Sequence, residues 1–289
     1  MRMPSFRKIR IYCTTGNVKK HELFMNKIRL PSHADKILVK IRKTQYTNDK
    51  GGDTMCEEFI RTARLIGIDG VQTLQSATVA VFGIGGVGSY AVEALARSGI
   101  GTLILVDNDV VSVSNINRQL PALHSTVGQY KTQVMAQRIH DICPDTAVIT
   151  HEVFYLPETA DMIDLSICDY IVDAIDTVSA KVELAMRAKT LGIPLISSMG
   201  TGNKLDPTKL VITDIYKTNT CPLARVMRRE LRTRGVDTLK VVYSTEPAIT
   251  PIDTDGTASR VPASISFVPS VAGLLAAGEV IKDILEKKR

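Results

Sequence analysis

The stretch Val79-Ala80-Val81-Phe82-Gly83-Ile84-Gly85-Gly86-Val87-Gly88 decides the fold. Its first half is a short, apolar, β-branched run that reads as a buried strand. It passes straight into a glycine-rich turn, after which Ser89 to Ser98 (SYAVEALARS) spaces its apolar residues as a helix does. Strand, glycine turn and helix in that order can hold a phosphate. The glycines let the backbone turn tightly and come close, and free N–H groups at the helix start meet the charge. Alone, the G-x-G-x-x-G spacing also fits a tight turn with close strand–helix packing and no ligand. A second strand, Thr102 to Val106, tips the choice by ending in Asp107, about 20 residues downstream, where an acidic group meets ribose hydroxyls. A bound nucleotide is the favoured reading, with Gly83, Gly85, Gly86, Gly88 and Asp107 around it.

Working outward, 289 residues allow one large or two small domains with a substantial core. With 44% hydrophobic and 23% charged residues, the composition is ordinary for a soluble globular protein. No apolar run approaches the ~18–20 residues needed to cross a bilayer. The nearest, Val268 to Ile281, is short and interrupted by Glu279, so it reads as a core or subunit-contact helix. No secretory signal opens the chain. The five cysteines (13, 56, 143, 168 and 221) are dispersed, with no C-x-x-C pair. That pattern suits a reducing cytoplasm and provides neither a disulfide framework nor a zinc site.

The net charge of +6 is unevenly placed. Residues 1–54 carry 13 Lys/Arg against 4 Asp/Glu, so the remainder sums to −3. The high pI therefore belongs to a basic leader and says nothing about nucleic-acid binding by the body. The leader has short apolar stretches such as Ile37 to Ile41 but no sustained period. We read it as poorly ordered or a small, dispensable appendage. Met55 precedes a more typical start, CEEFIRTARLIG. A transit peptide fits the basic bias, but Lys dominance and the acids count against it.

Residues 55–289 divide into a nucleotide-binding half (55–205) and a substrate and dimer half (206–289). Helical patterns cover Phe59 to Leu74, Gly128 to Ile142 and Lys181 to Thr190, with strands near Val148, at Tyr170 to Ala174 and at Pro194 to Ser198. This alternation predicts an α/β fold, a doubly wound, mostly parallel Rossmann-like sheet. Beyond it, Leu210 to Ile215, Lys240 to Ser244 and Ser264 to Val268 read as strands. Pro222 to Arg234 reads as a basic helix, Thr250 to Pro262 as a loop, and Val271 to Leu285 as the closing helix.

The polar loop NDVVSVSNINRQL discriminates among nucleotide chemistries. Asn115, Asn117, Arg118 and Gln119 lie beyond the strand end carrying Asp107, where open α/β sheets place their ligands. Lys131 and Asp176 come from the next two elements on the same side. One Arg, one Lys and one Asp around a phosphate site suit ATP chemistry: the cations balance phosphate charge and the carboxylate can hold Mg²⁺. A nicotinamide-dependent oxidoreductase would not need them.

GIGGVG, LVDNDVVSVSNINRQ, GQYKTQVMAQRI and VDAIDT together resemble the adenylating superfamily of MoeB, ThiF, HesA and the ubiquitin-activating enzymes, over about Phe59 to Gly202. The resemblance implies a ThiF-type fold and adenylation of a carboxylate by ATP with release of pyrophosphate. It implies that Asp107 holds the ribose, and that Asn115, Arg118 and Lys131 contact the phosphates, with Gln119 beside them. It implies Asp176 at Mg²⁺, and Arg64 reaching the phosphates from the other subunit of a homodimer. Members that activate sulfur-carrier proteins often carry paired C-x-x-C zinc motifs, and this chain has none, so no zinc is expected.

The runs DPTKLVITDIYKT, PLARVMRRELR, VVYSTEP and SISFVPSVAGLLAAGEVIKDIL are instead similar to the tRNA threonylcarbamoyladenosine dehydratase branch (TcdA, CsdL). With them the resemblance runs from about Met55 to the C-terminus. It implies ATP-dependent cyclisation of threonylcarbamoyladenosine in tRNA, with loss of water. It also admits a sulfur-acceptor or cysteine-desulfurase partner. The alternative is an adenylyltransferase acting on the C-terminus of a ubiquitin-like sulfur carrier. Arg225, Arg228, Arg229 and Arg232, the densest basic cluster of a net-acidic body, are the candidate tRNA contacts. Cys221 occupies a region where related activating enzymes place a cysteine, and a tolerated substitution is the favoured reading of it.

Overall fold

The computed structural model describes residues 57–252 and 262–287. The expectation about residues 1–54 lies outside them. Seven strands form one sheet: β1 (Thr78–Phe82), β2 (Thr102–Val106), β3 (Ala147–His151), β4 (Tyr170–Asp173), β5 (Leu195–Ser198), β6 (Leu210–Asp214) and β7 (Lys240–Ser244). Their spatial order is β3-β2-β1-β4-β5-β7-β6, and every pair is parallel except β6 with β7. The strand order reverses at β1, which has β2 on one side and β4 on the other. That is where a doubly wound sheet opens a ligand crevice at its carboxyl edge.

The central strands are buried on both faces, which is why they read as continuous apolar runs instead of alternating ones. Val79, Ala80, Val81 and Phe82 are all fully buried. Their alternate side chains enter two cores. Ala80 and Phe82 join Ile104 and Ile171 beneath α4 (Val178–Leu191) and α5 (Pro222–Arg232). Val79 and Val81 join Leu103 and Leu105 beneath α2 (Gly88–Arg97), α3 (Lys131–Ile142) and α6 (Phe267–Glu286). Helix α1 (Ile60–Gln75) breaks at Gly67, whose φ is +80°.

Lys240 and Tyr170 anchor α6. Lys240 Nζ lies 3.0 Å from Glu279 and 2.6 Å from Asp283, and the Tyr170 hydroxyl donates to Asp283 at 2.6 Å. Upstream, α6 presses on α2 so closely that a Cβ on Gly273 would sit 2.2 Å from the Val87 carbonyl oxygen.

Several boundaries differ from the sequence reading. Helix α6 starts four residues earlier than Val271, and α5 ends two before Arg234. Helix α3 begins at Lys131, not Gly128, because Gly128 is left-handed (φ +88°) and Tyr130 is extended and bridges Val110. Helix α4 is longer than Lys181 to Thr190. The strand expected at Ser264 to Val268 does not form. Its polar groups go elsewhere: the Ser264 carbonyl accepts from Asn117 and the Ala263 carbonyl from the Asn203 N–H, and α6 already starts at Phe267. Pro269 is tolerated there because it lies in the first helical turn.

Candidate active site

The glycines of the turn divide into two kinds. A Cβ at Gly83, where φ is +83°, would lie 2.6 Å from the Ala174 carbonyl oxygen, and one at Gly88 only 1.8 Å from the Gly83 carbonyl oxygen. These two are required by the turn's own packing between β1 and β4. Gly85 has nothing nearer than Gln119 Nε2, 3.8 Å away, and Gly86 faces Pro269 and the Arg118 stem. Gly85 is the open position, where a ligand can approach backbone, while a Cβ on Gly86 would press on Pro269 at 3.2 Å. The N-cap of α2, Val87, supplies no side-chain cap, and the turn itself takes up the Ser89 N–H, which donates to the Gly85 carbonyl at 3.1 Å, and the Tyr90 N–H, which donates to the Val87 carbonyl at 3.2 Å. Ser89 ties the turn to the polar loop. Its hydroxyl donates to the Gly85 carbonyl at 2.6 Å and accepts from the Leu120 N–H at 3.2 Å.

Asp107 leaves the end of β2 and accepts two backbone bonds, from Ile84 N–H at 2.6 Å and Asp109 N–H at 2.8 Å. Burial pushes its pKa above the ordinary value, while Lys131 and the two N–H bonds pull the other way. Lys131 has only 5% of its side chain exposed, and its ammonium meets Asp109, itself 58% exposed, at 2.7 Å. Glu152 pins the first turn of α3 by accepting from Thr132 at 2.9 Å and Gln133 at 2.6 Å. Burial works against this carboxylate, but the bonds from Gln133 and Thr132 outweigh it and hold its pKa below the usual range.

In the polar loop, Asn115 closes a tight turn by accepting from the Ser112 N–H at 3.1 Å. The Arg118 guanidinium donates to Ser114 O at 2.9 Å and Asn117 Oδ1 at 2.8 Å. Gln119 is buried, and its Oε1 has no hydrogen-bond partner. An unsatisfied buried acceptor beside an open glycine backbone is what a site missing a polar ligand would show. The residues therefore fit a nucleotide.

Asp176 is exposed after β4, with Thr177 Oγ1 at 3.3 Å. Among the described residues no cluster of three metal-ligating side chains occurs. A Mg²⁺ at Asp176 would thus be held mainly by phosphates and water, the usual arrangement for that ion. Beneath Asp176 sits a unit the sequence reading missed. Asp173, 1% exposed, receives Lys181 Nζ at 2.9 Å, Ser197 Oγ at 2.5 Å and the Ile175 N–H at 3.1 Å. Only the lysine in an apolar helix following an aspartate-ended strand hinted at it.

Other expected residues are not gathered here. Arg64 is exposed on α1, whose Val71, with Phe59 just ahead of the helix, packs with Cys143 at the entry to β3, the opposite end of the sheet. On α5, Arg225, Arg229 and Arg232 are exposed and spaced along one face, whereas Arg228 donates to the Thr218 carbonyl at 2.9 Å and to its hydroxyl. Arg232 stacks over the Tyr216 ring at 5.2 Å. Cys221 is 2% exposed within the core that includes Ala224 and Met227.

The arrangement is a glycine turn open at Gly85, the Asp107 carboxylate at the end of β2, the cations of Arg118 and Lys131, and the exposed Asp176 carboxylate after β4. It can bind a nucleoside triphosphate and neutralise its phosphates. The ThiF family model matches residues 59–289. The tRNA threonylcarbamoyladenosine dehydratase of Bacillus subtilis is 46% identical over 244 residues, 80% of this chain and 96% of the relative. That of Haemophilus influenzae is 37% identical over 252 residues, covering 82% and 96%. The crystal structure of E. coli TcdA in complex with ATP superposes with a TM-score of 0.72 at 36% identity, covering 80% of this chain and 95% of that one. The chain belongs to the ThiF family and groups within it with the tRNA threonylcarbamoyladenosine dehydratases.

Proposed function

We propose that the chain is an ATP-dependent tRNA threonylcarbamoyladenosine dehydratase. The observation that carries this is the open Gly85 backbone beside unsatisfied Gln119, with Lys131, Arg118 and Asp107 around it. A relative 46% identical over 80% of the chain bears that name.

The modified base carries a free carboxylate, a poor electrophile. ATP supplies the adenylyl group that turns one carboxylate oxygen into a leaving group. That oxygen attacks the α-phosphorus and pyrophosphate departs; the neighbouring ureido nitrogen then closes on the carbonyl carbon and AMP leaves. Proximity makes the closure effectively unimolecular. Asp107 accepts from the ribose hydroxyls. Arg118, Lys131 and Asn115 take the phosphates, and Asp176 would hold Mg²⁺, which would neutralise further phosphate charge. The chemistry asks for no covalent cysteine, and buried Cys221 offers none.

Arg225, Arg229 and Arg232 form the tRNA face. Three phosphate contacts imply a log–log salt slope of about 3 for a duplex stem. A second copy of the chain completes the site with Arg64. Leu65, 86% exposed, and Ile68 on the same helix present the apolar surface such a homodimer covers. Dispersed cysteines fit a cytoplasmic setting, and no helix among the described residues is long and apolar enough to cross a membrane.

The test is to incubate the protein with ATP and tRNA bearing the precursor base, then weigh the nucleosides. Loss of one water from the base is the expected result. Unchanged tRNA, with pyrophosphate exchange driven by a Gly-Gly-ended carrier protein, would place the chain among the carrier-activating enzymes instead.

A further inference from the structure

Asn203 is the one non-glycine residue with a positive φ, 58°, among the described residues. Asparagine tolerates the left-handed region better than most side chains, so the conformation asks what holds it. Three bonds do. The Asn203 N–H donates to the Ala263 carbonyl at 2.8 Å, its carbonyl accepts from the Ile249 N–H at 2.8 Å, and its Oδ1 accepts from the Ala263 N–H at 2.7 Å. One residue thus fastens three separate segments beyond the ends of β5 and β7. Its neighbour Gly202 allows the approach, since a Cβ there would lie 2.9 Å from the Pro262 side chain.

The segment so fastened leads into the site. Next to Ala263, the Ser264 carbonyl accepts from Asn117 Nδ2 at 3.1 Å, and Asn117 Oδ1 accepts from the Arg118 guanidinium at 2.8 Å. The same segment continues to Pro269, which packs so closely on Gly86 of the glycine turn that a Cβ there would lie 3.2 Å from it. We infer that Asn203 is a positioning residue for the nucleotide site. By fixing Ala263 and Ser264 it fixes Asn117, and through Asn117 the direction of the Arg118 guanidinium. The inference rests on the assignment of Arg118 to the phosphates.

Calorimetric ATP titration of the full chain tests it. Asn203→Gly keeps the left-handed backbone but loses the Oδ1 acceptor, and should weaken ATP about fivefold, the worth of one neutral hydrogen bond. Asn203→Asp keeps the acceptor and should bind ATP as the parent does, with KM for tRNA unchanged in both variants. Asn117→Ala should weaken ATP by a similar factor. Adding Asn203→Gly to it should cost little more, because both act through one contact. Parental ATP affinity in Asn203→Gly, loss of affinity in Asn203→Asp, or multiplying effects in the double variant would each overturn the inference. If Asn203→Gly fails to fold, Asn203→Asp and Asn117→Ala decide alone. Arg118→Ala is the control for the underlying assignment: parental ATP affinity there overturns that assignment and leaves the Asn203 contacts unexplained.

Discussion

Replacing Lys131 with Met separates the stability of this site from its chemistry. The lysine stem is buried, with 5% of the side chain exposed, and Met fills the same space. Its ion-pair partner Asp109 is 58% exposed, so the orphaned carboxylate is solvated by water. A pair with one wet member contributes about 1 kcal/mol at most. The melting temperature should therefore move only slightly. The rate should not survive if Lys131 meets the phosphates as proposed, because the substitution then deletes a preorganised cation there. That costs about 10²–10³ in kcat.

A second, independent signature follows at Asp107. Burial raises its pKa and the Lys131 charge opposes that rise, so losing the charge sends it higher still. Only the ionised carboxylate can accept both ribose hydroxyls. ATP affinity therefore falls as pH drops through this pKa, and in Lys131→Met the fall begins at a higher pH. Calorimetric ATP titration at successively lower pH, starting from neutrality, follows the transition. Turnover is read as water loss from the base. A variant with parental kcat, or one whose acid limb does not move, would refute the placement of Lys131.

Four further outcomes follow from the same geometry. Asp173→Ala leaves Lys181, fully buried, without its partner and should destabilise the fold by about 3–5 kcal/mol, read by denaturant unfolding; a loss under about 1 kcal/mol would contradict the buried pair. Reversing Arg225, Arg229 and Arg232 to Glu should abolish most tRNA binding and flatten its salt dependence while ATP still binds, whereas Arg228→Gln should chiefly loosen the Thr218 contact and lower the melting temperature; unaltered tRNA affinity in the triple variant would move the RNA face elsewhere. Cys221→Ala should retain most turnover, and near-total loss would revive a covalent mechanism.

The sequence by itself determined the elements whose signals are local. The apolar run Val79 to Phe82, the glycine spacing and Asp107 needed nothing beyond their neighbours in the chain, since strand burial and turn chemistry are short-range properties. The doubly wound order followed from the alternation of strands and helices. What the chain order could not show is which glycines the turn's own packing requires and which leave room beside the backbone. That depends on the Ala174 and Gly83 carbonyls lying against Gly83 and Gly88, on Pro269 lying against Gly86, and on Gly85 having only Gln119, 3.8 Å away, beside it. Nor could it sort the arginines of α5, because Arg228 is diverted by Thr218, ten residues earlier and outside the helix. The segment at Ser264 was misread for the same reason. Its β-compatible residues meet Asn117 and Asn203 rather than a strand edge, and a strand exists only where another offers its backbone. The Asp173–Lys181–Ser197 unit joins two strands and a helix, so each member looks ordinary until tertiary packing removes water from all three and leaves them only one another.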